Sequence, residues 1–444
     1  MDLSKDIYKN LWFPFTCSKD IDAFLPRIIE RGEGVYVFDT SNTRYLDAIG
    51  SWWVSILGHC HPRINAALKN QLEKLEHVLM AGFVSPPALQ LSHELVSILP
   101  SGLSRIFYSD DGSTAVEAAL KMSLQYWKNK GEKRTHFIGL KGGYHGDTLG
   151  AMSVGNIPDY HELFHESFRA NICADSPYCY RCPAGKSPGT CNAECMESLE
   201  TILKNQGESV AACIFEPMVQ GAGGMRVYPA KVLTRLFAAC SKYDVLTIAD
   251  EVAVGFGRTG KLFACEHAGL TPDIMCLAKG LTSGYIPMAA TAAKEKVYEQ
   301  FCGDFLAGKE LSHGHSFTGN PLGAAIACET IAILKEQNIP RSLEKKTGYF
   351  TRCLHTFDEI ECVGDIRSIG MIGAIELVEN RNTKKPFAKE LRVPFRIAQR
   401  AIDKGVIIRP LGNVLYFVPA YIITEEQIAF MMEMTKESIR EIVS

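Results

Sequence analysis

A chain of 444 residues, 46% of them hydrophobic, can bury a large core and is long enough for two or three domains' worth of structure. Its 47 Lys and Arg nearly balance its 50 Asp and Glu. That excludes the strong overall field that draws a protein to nucleic acid or to an anionic membrane, and leaves small molecules as the expected partners.

The start, MDLSKDIYKNLWFPF, has neither a basic opening nor an apolar run. No stretch of the chain approaches the roughly 18 apolar residues of a spanning helix, so a cytoplasmic location is expected. Residues 1–60 are expected to join a smaller α+β domain with residues 326–444, leaving 61–325 as the large domain. Within the large domain the apolar runs SRIFYS, THFIGL, VAACIFEP, VLTIAD and DIMCLA alternate with amphipathic stretches. This alternation predicts an α/β fold with a mostly parallel sheet covered on both faces.

The apolar spacing Val116, Leu120, Leu124 and Trp127 predicts a helix starting at Thr114, with Glu117 as its capping-box partner. Beyond Leu322 the signals change to the helices PLGAAIACETIAILKEQ and PFRIAQRAIDKG and the short strands MIGAIELV, VIIRPLG and VLYFVPA. Between them RNTKKPFAKE, residues 381–390, is polar, basic and broken by Pro386, and predicts an exposed loop.

Three residues at predicted strand ends carry chemistry. Asp250 closes VLTIAD, where open α/β sheets bind their ligands, and a carboxylate there can pair with a cationic ring nitrogen. Lys279 closes DIMCLAK twenty-nine residues later and presents an amine at the same edge, where a partly dry cleft lets it lose its proton and attack a carbonyl carbon. Gly112 and Ser113 lie at a strand-to-helix turn, whose free N–H groups and dipole favour a phosphate. Each alone is weak: a strand-end Lys is usually a surface residue and a Gly-Ser start usually only a cap. Together they meet the three demands of pyridoxal phosphate, an aldehyde partner, a ring-nitrogen partner and a phosphate cup.

Over nearly its whole length the sequence resembles the class III aminotransferases, pyridoxal-phosphate enzymes of fold type I. DDGSTAVEAALK, GGYHGDTLGAMSVG, EPMVQGAGGM and ADEVAVGFGRTG carry the resemblance. The pair Trp52-Trp53 and the segment IIRPLGN resemble the branch that aminates 8-amino-7-oxononanoate in biotin synthesis. The resemblance implies that Tyr144 lies against the cofactor ring and that Trp52 helps to enclose the substrate. It further implies that Asp147 and Arg258 shape the substrate pocket and that Arg409 clamps the substrate carboxylate. Gly314 would line the site, while His315 and Ser316 would reach the phosphate of a neighbouring subunit's cofactor, which implies a homodimer.

The sequence departs from this pattern in three places. Phe15, in Phe13-Pro14-Phe15-Thr16, stands where the family offers a tyrosine hydroxyl to the substrate, which leaves the amino donor open between S-adenosylmethionine and lysine. Asp111 stands beside the phosphate cup, and its carboxylate is expected to turn away from a second anion. The insertion with Cys173, Cys179, Cys182, Cys191 and Cys195 is close to zinc-ligand spacing, yet equally suits a reversible disulfide or free thiols. Most of the fifteen cysteines sit in apolar segments, as reduced core thiols do. An ω-amino acid transaminase acting on ornithine or 4-aminobutyrate is the alternative, and Trp52-Trp53 with Arg409 argue against it. A nucleotide-binding protein using the 112–113 turn is disfavoured because no Walker-type lysine loop is present.

Overall fold

The computed structural model describes residues 8, 10–167, 171–187 and 189–443. A short helix, Ser18–Ala23, is followed by an antiparallel meander of β1 (Ile29–Glu33), β2 (Tyr36–Asp39) and β3 (Arg44–Asp47). The large sheet takes β4 (Leu103–Ser109), β5 (His136–Leu140), β6 (Ile172–Ala174) and β7 (Val210–Phe215). A two-stranded ribbon follows, β8 (Val219–Gln220) with β9 (Arg226–Val227), and the large sheet resumes with β10 (Leu246–Asp250), β11 (Ile274–Leu277) and β12 (Ala289–Lys294). Its strand order is β4-β12-β11-β10-β7-β5-β6.

β7, β10 and β11 are buried throughout, as strands covered by helices on both faces must be, and this is why they read as unbroken apolar runs. Neighbouring strands from β6 to β11 pair in parallel, whereas β12 runs antiparallel to both β11 and β4. The sequence reading missed β12: AATAAK is nearly all alanine and carries no β-branched run to mark it.

A third sheet is built of β13 (Val363–Ile369), β14 (Ile372–Leu377), β16 (Pro410–Leu411) and β17 (Val414–Phe417), in the order β13-β14-β17-β16. The predicted single strand VIIRPLG splits. Its first half, β15 (Val406–Ile407), pairs in parallel with β3 of the N-terminal meander, and its second half is β16. Arg409 therefore sits where the chain passes from one sheet to the other.

The predicted helix start at Thr114 is corrected. The helix runs Gly112–Asn129 and is capped by Asp111, whose side chain accepts from the Thr114 N–H at 2.9 Å while the Thr114 hydroxyl accepts from the Asp111 N–H at 3.0 Å. The box has the expected reciprocal logic with its first member three residues earlier. Residues 381–390 form the expected exposed loop, apart from the half-buried Phe387.

Candidate active site

The C-terminal ends of β7, β10 and β11 deliver Glu216, Asp250 and Lys279 to one cavity of about 660 Å3. The start of the helix Gly112–Asn129 supplies Gly112 and Ser113, and the turn after β5 supplies Tyr144, His145, Gly146, Asp147 and Thr148. A second cavity of about 920 Å3 shares Trp53, Tyr144, Asp147 and Lys279 with the first. It leads outward past Phe15, Trp52 and Tyr160 to Arg392 and Arg409. Lys279 thus stands at the junction of an inner and an outer chamber.

The backbone is strained where the chambers meet. Phe15, Ser51, Trp52, Trp53 and Lys279 all adopt left-handed φ, between 46° and 74°. Side-chain-bearing residues cost energy in this region, and proteins concentrate that cost at functional sites.

Burial of Lys279 lowers the pKa of its amine from the usual 10.5 to about 8, and the nearby Asp250 and Glu216 carboxylates partly oppose that shift. Its Nζ lies 4.4 Å from the centre of the Trp53 ring. Asp250 accepts the Val252 N–H at 3.1 Å through one oxygen and meets His145 Nδ1 at 2.8 Å with the other. Among the described residues the Nε2 of that buried histidine finds no hydrogen-bond partner. Burial also pushes the Glu216 carboxyl up to about 7, although it accepts N–H groups from Tyr144 at 3.0 Å and Gly221 at 2.7 Å. Its two bonds tie the Tyr144 turn to the β8–β9 ribbon.

The phosphate cup is shaped by what it excludes. A Cβ at Gly112 would lie 2.6 Å from a Val252 methyl carbon, and one at Gly146, where φ is +125°, would lie 2.2 Å from the Ser113 hydroxyl oxygen. That hydroxyl accepts the Thr148 N–H at 3.1 Å and lies 2.7 Å from the Thr148 hydroxyl. Glu117, expected in the capping box, instead accepts from the Thr148 hydroxyl at 2.6 Å and from the Ala151 N–H at 3.0 Å. It braces the loop that faces the cup.

These residues fit pyridoxal phosphate. A buried amine of lowered pKa faces a carboxylate across an inner chamber that ends at a helix N-terminus. The Asp111 carboxylate, expected to turn away, is held by its own helix's N–H at Thr114. Tyr144 lines the same chamber and donates its hydroxyl to Asp147 at 2.8 Å, while burial and the Asp147 charge raise the phenol's pKa.

In the outer chamber Phe15 packs edge-on against Trp52, with ring centroids 5.9 Å apart, and against Tyr160 at 5.2 Å. Arg409 reaches over the Trp52 ring at 4.8 Å and donates to the Phe15 carbonyl at 3.2 Å. Among the described residues its guanidinium meets no carboxylate. Arg392, by contrast, is used up by a fork-to-fork pair with Asp20, both bonds 2.6 Å.

Two expectations do not match the geometry of this chain. Arg258 is fully buried and lines neither chamber. It donates to the carbonyls of Pro419 at 2.5 Å and Ser55 at 3.2 Å, so its charge is spent on holding loops together behind the site. Gly314, expected to line the site, is exposed and lines neither chamber, whereas the expectation for His315, which meets Asp110 at 3.0 Å, and for the exposed Ser316 concerns a neighbouring subunit's cofactor and not the chambers of their own chain. The five cysteines of the insertion are free thiols, and among the described residues no three His, Cys, Asp or Glu side chains are arranged to hold a metal ion.

The sequence reading had not singled out His145, Thr148 or Trp53 for roles at the site. His145 lies within the YHGD of GGYHGDTLGAMSVG and Thr148 directly follows it, and only the pairing of β5 beside β7 brings them to Asp250 and Ser113.

A parallel sheet whose strand ends gather a lysine, an aspartate and a phosphate cup is the frame of a pyridoxal-phosphate transferase, and the Aminotransferase class-III family matches residues 17–439. The chain belongs to that family. It is 44% identical to the adenosylmethionine-8-amino-7-oxononanoate aminotransferase of Geobacter sulfurreducens, over 98% of this chain and 96% of that protein. The crystal structure of the enzyme of the same name from Methanocaldococcus jannaschii superposes with a TM-score of 0.94 at 38% identity, covering 99% of this chain and 98% of that one. The omega transaminase of Pseudomonas jessenii in complex with PMP superposes as closely, with a TM-score of 0.95, at 31% identity, covering all of this chain and 98% of that one.

Proposed function

We propose that this protein, with pyridoxal phosphate as cofactor, transfers an amino group to the keto carbon of 8-amino-7-oxononanoate and yields 7,8-diaminononanoate for biotin synthesis. The observation that carries this reading is the outer chamber. It runs from Lys279 to the unpaired guanidinium of Arg409 between apolar and aromatic walls, which suits a chain with a reacting carbon at one end and a carboxylate at the other. The nearness of the omega transaminase fold makes shape a poor discriminator between the two readings; the higher identity to the oxononanoate enzymes supports this one.

The cofactor, when bound, supplies an electron sink and carries the amino group from one substrate to the other. Gly112 and Ser113 would hold its phosphate, Tyr144 would lie against its ring, and Asp250, oriented by His145, would keep the ring nitrogen protonated. Lys279 would anchor the cofactor, and its Nζ is placed to take the proton from the donor carbon that bears the amino group. Arg409 fixes the carboxylate of the oxononanoate while Trp52, Trp53 and Phe15 exclude water from the reacting carbon.

S-adenosylmethionine is the proposed donor, in keeping with the names of the relatives. Lysine is the second reading, because Phe15 lacks a hydroxyl. The protein acts as a homodimer in which His315 and Ser316 reach the phosphate of the partner's cofactor. Large apolar side chains left bare in and near that segment support this: Phe305 is 88% and Leu306 94% exposed, and Phe317 is exposed beside the tilted His77 ring.

The test is single-turnover absorbance of the cofactor-loaded protein. S-adenosylmethionine and, separately, lysine are added first, then 8-amino-7-oxononanoate. A visible band that disappears with one donor and returns with the oxononanoate establishes the reaction and names the donor. If the band disappears but returns only with ω-keto acids, the enzyme is an ω-amino acid transaminase.

A further inference from the structure

A separate cavity of about 570 Å3 opens where β9 and β13 meet the cysteine-bearing insertion, and it shares no lining residue with either chamber of the active site. Arg226, Arg367, Lys186 and Lys384 line it, against one carboxylate, Asp365.

The neighbouring Glu376 cannot redress the balance. One of its oxygens accepts Arg181 twice, at 3.0 and 2.8 Å, and the other accepts the Tyr178 hydroxyl at 2.5 Å and Arg367 at 2.7 Å. Arg367 bridges it to Asp365 at 2.9 Å. Counting Arg181 and Glu376 with the lining groups, five cations face two carboxylates.

Arg226 is the group left over. Its guanidinium lies 4.3 Å from the centre of the Tyr178 ring and bonds the Ser176 hydroxyl at 3.3 Å. Among the described residues no carboxylate is within bonding distance, and its buried Nε has no acceptor. Its Nη1 packs close against Gly142, where a Cβ would lie only 2.5 Å from it. Burial without a counter-ion depresses its pKa. A charged group so held costs free energy unless an anion joins it.

We propose that this cavity binds a small phosphate-bearing anion. A surplus of three positive charges suits a phosphate dianion better than a single carboxylate, and guanidinium groups match phosphate oxygens in geometry. The volume admits a phosphomonoester as readily as inorganic phosphate.

Isothermal titration of the cofactor-loaded dimer decides it, since the active-site cup is then filled and an unchanged visible band shows that the cofactor stays in place. Inorganic phosphate and glycerol phosphate are the probes, with chloride at matched ionic strength as the reference. One saturable site per chain is expected for phosphate; tighter binding of glycerol phosphate would mark a phosphomonoester as the occupant, and weaker binding the free ion. K186Q/K384Q, two exposed changes that leave the fold intact, should weaken binding at least about fivefold, and R226Q should abolish it. No saturable heat beyond that of chloride, or an affinity that survives K186Q/K384Q unchanged, overturns the proposal even if R226Q fails to fold.

Discussion

Lys279 gathers the chemistry at the scale of single residues, and its amine sets a testable pH dependence. With a pKa lowered to about 8, the neutral form that attacks the cofactor aldehyde dominates above pH 8 and fades below it. The rate at which the cofactor-free protein takes up pyridoxal phosphate should therefore climb from pH 7 and level off near pH 9, as followed by stopped-flow absorbance. A climb that continues past pH 10 would show the lysine to be unperturbed. At Asp250, exchange for Asn keeps the shape and removes the charge that protonates the ring nitrogen. Asp250→Asn should lose about a hundredfold or more in kcat while still binding cofactor; equal activity contradicts the assigned role. Arg409→Ala should lower kcat/KM for the oxononanoate by about thirtyfold, or about 2 kcal/mol, because the substrate carboxylate is left unpaired. An unchanged kcat/KM would move the carboxylate elsewhere in the chamber, with Arg392 available only if its pair with Asp20 opens.

At the scale of elements, the helix Gly112–Asn129 couples stability to cofactor binding through its cap. Asp111 satisfies the Thr114 N–H but also sets a negative charge beside the phosphate cup. Asp111→Asn retains the acceptor and should bind pyridoxal phosphate more tightly than the parent. Asp111→Ala loses the cap, at about 1 kcal/mol, and should lower Tm without that gain in affinity. Equilibrium dialysis and calorimetry on the two variants separate the effects. This helix was legible in the sequence by its apolar spacing, but its start was not. Two overlapping boxes, Asp111 with Thr114 and Thr114 with Glu117, compete on paper; Glu117 is drawn off by Thr148 and Ala151, thirty residues away in the chain. β12 was hidden for a similar reason, since its alanines are specified by close packing between β4 and β11 and not by their own strand preference.

At the scale of the whole molecule, residues 302–320 leave the apolar side chains of Phe305, Leu306 and Phe317 bare, and a second copy is the proposed cover. Phe305→Asp with Leu306→Asp should shift the protein toward monomer in sedimentation velocity and weaken cofactor retention together, because Ser316 then no longer reaches the partner's phosphate. A dimer of undiminished cofactor affinity in that variant would place the interface elsewhere. The proposed division near residues 60 and 325 belongs to the same scale. The meander β1–β3 pairs with β15, so a nick in the loop 381–390 should leave the N-terminal and C-terminal fragments associated.

The sequence by itself determined the class of fold and the chemical core of the site. Buried parallel strands must read as apolar runs, and the residue after each run lies at the edge where such sheets bind ligands, so Asp250 and Lys279 could be placed by pattern alone. It also placed Gly112 at the cup, since a strand-to-helix turn offers free N–H groups to a phosphate and glycine lets the backbone approach closely. Only the tertiary structure decided which arginine of the outer chamber is left without a carboxylate partner among the described residues. The fates of Arg258, Arg392 and Arg409 follow from partners far away in the chain: Pro419 and Ser55 for the first, Asp20 for the second and, among the described residues, no carboxylate for the third. A charge's role is set by what it is buried against, and that is a property of contacts between distant segments, which no local pattern carries.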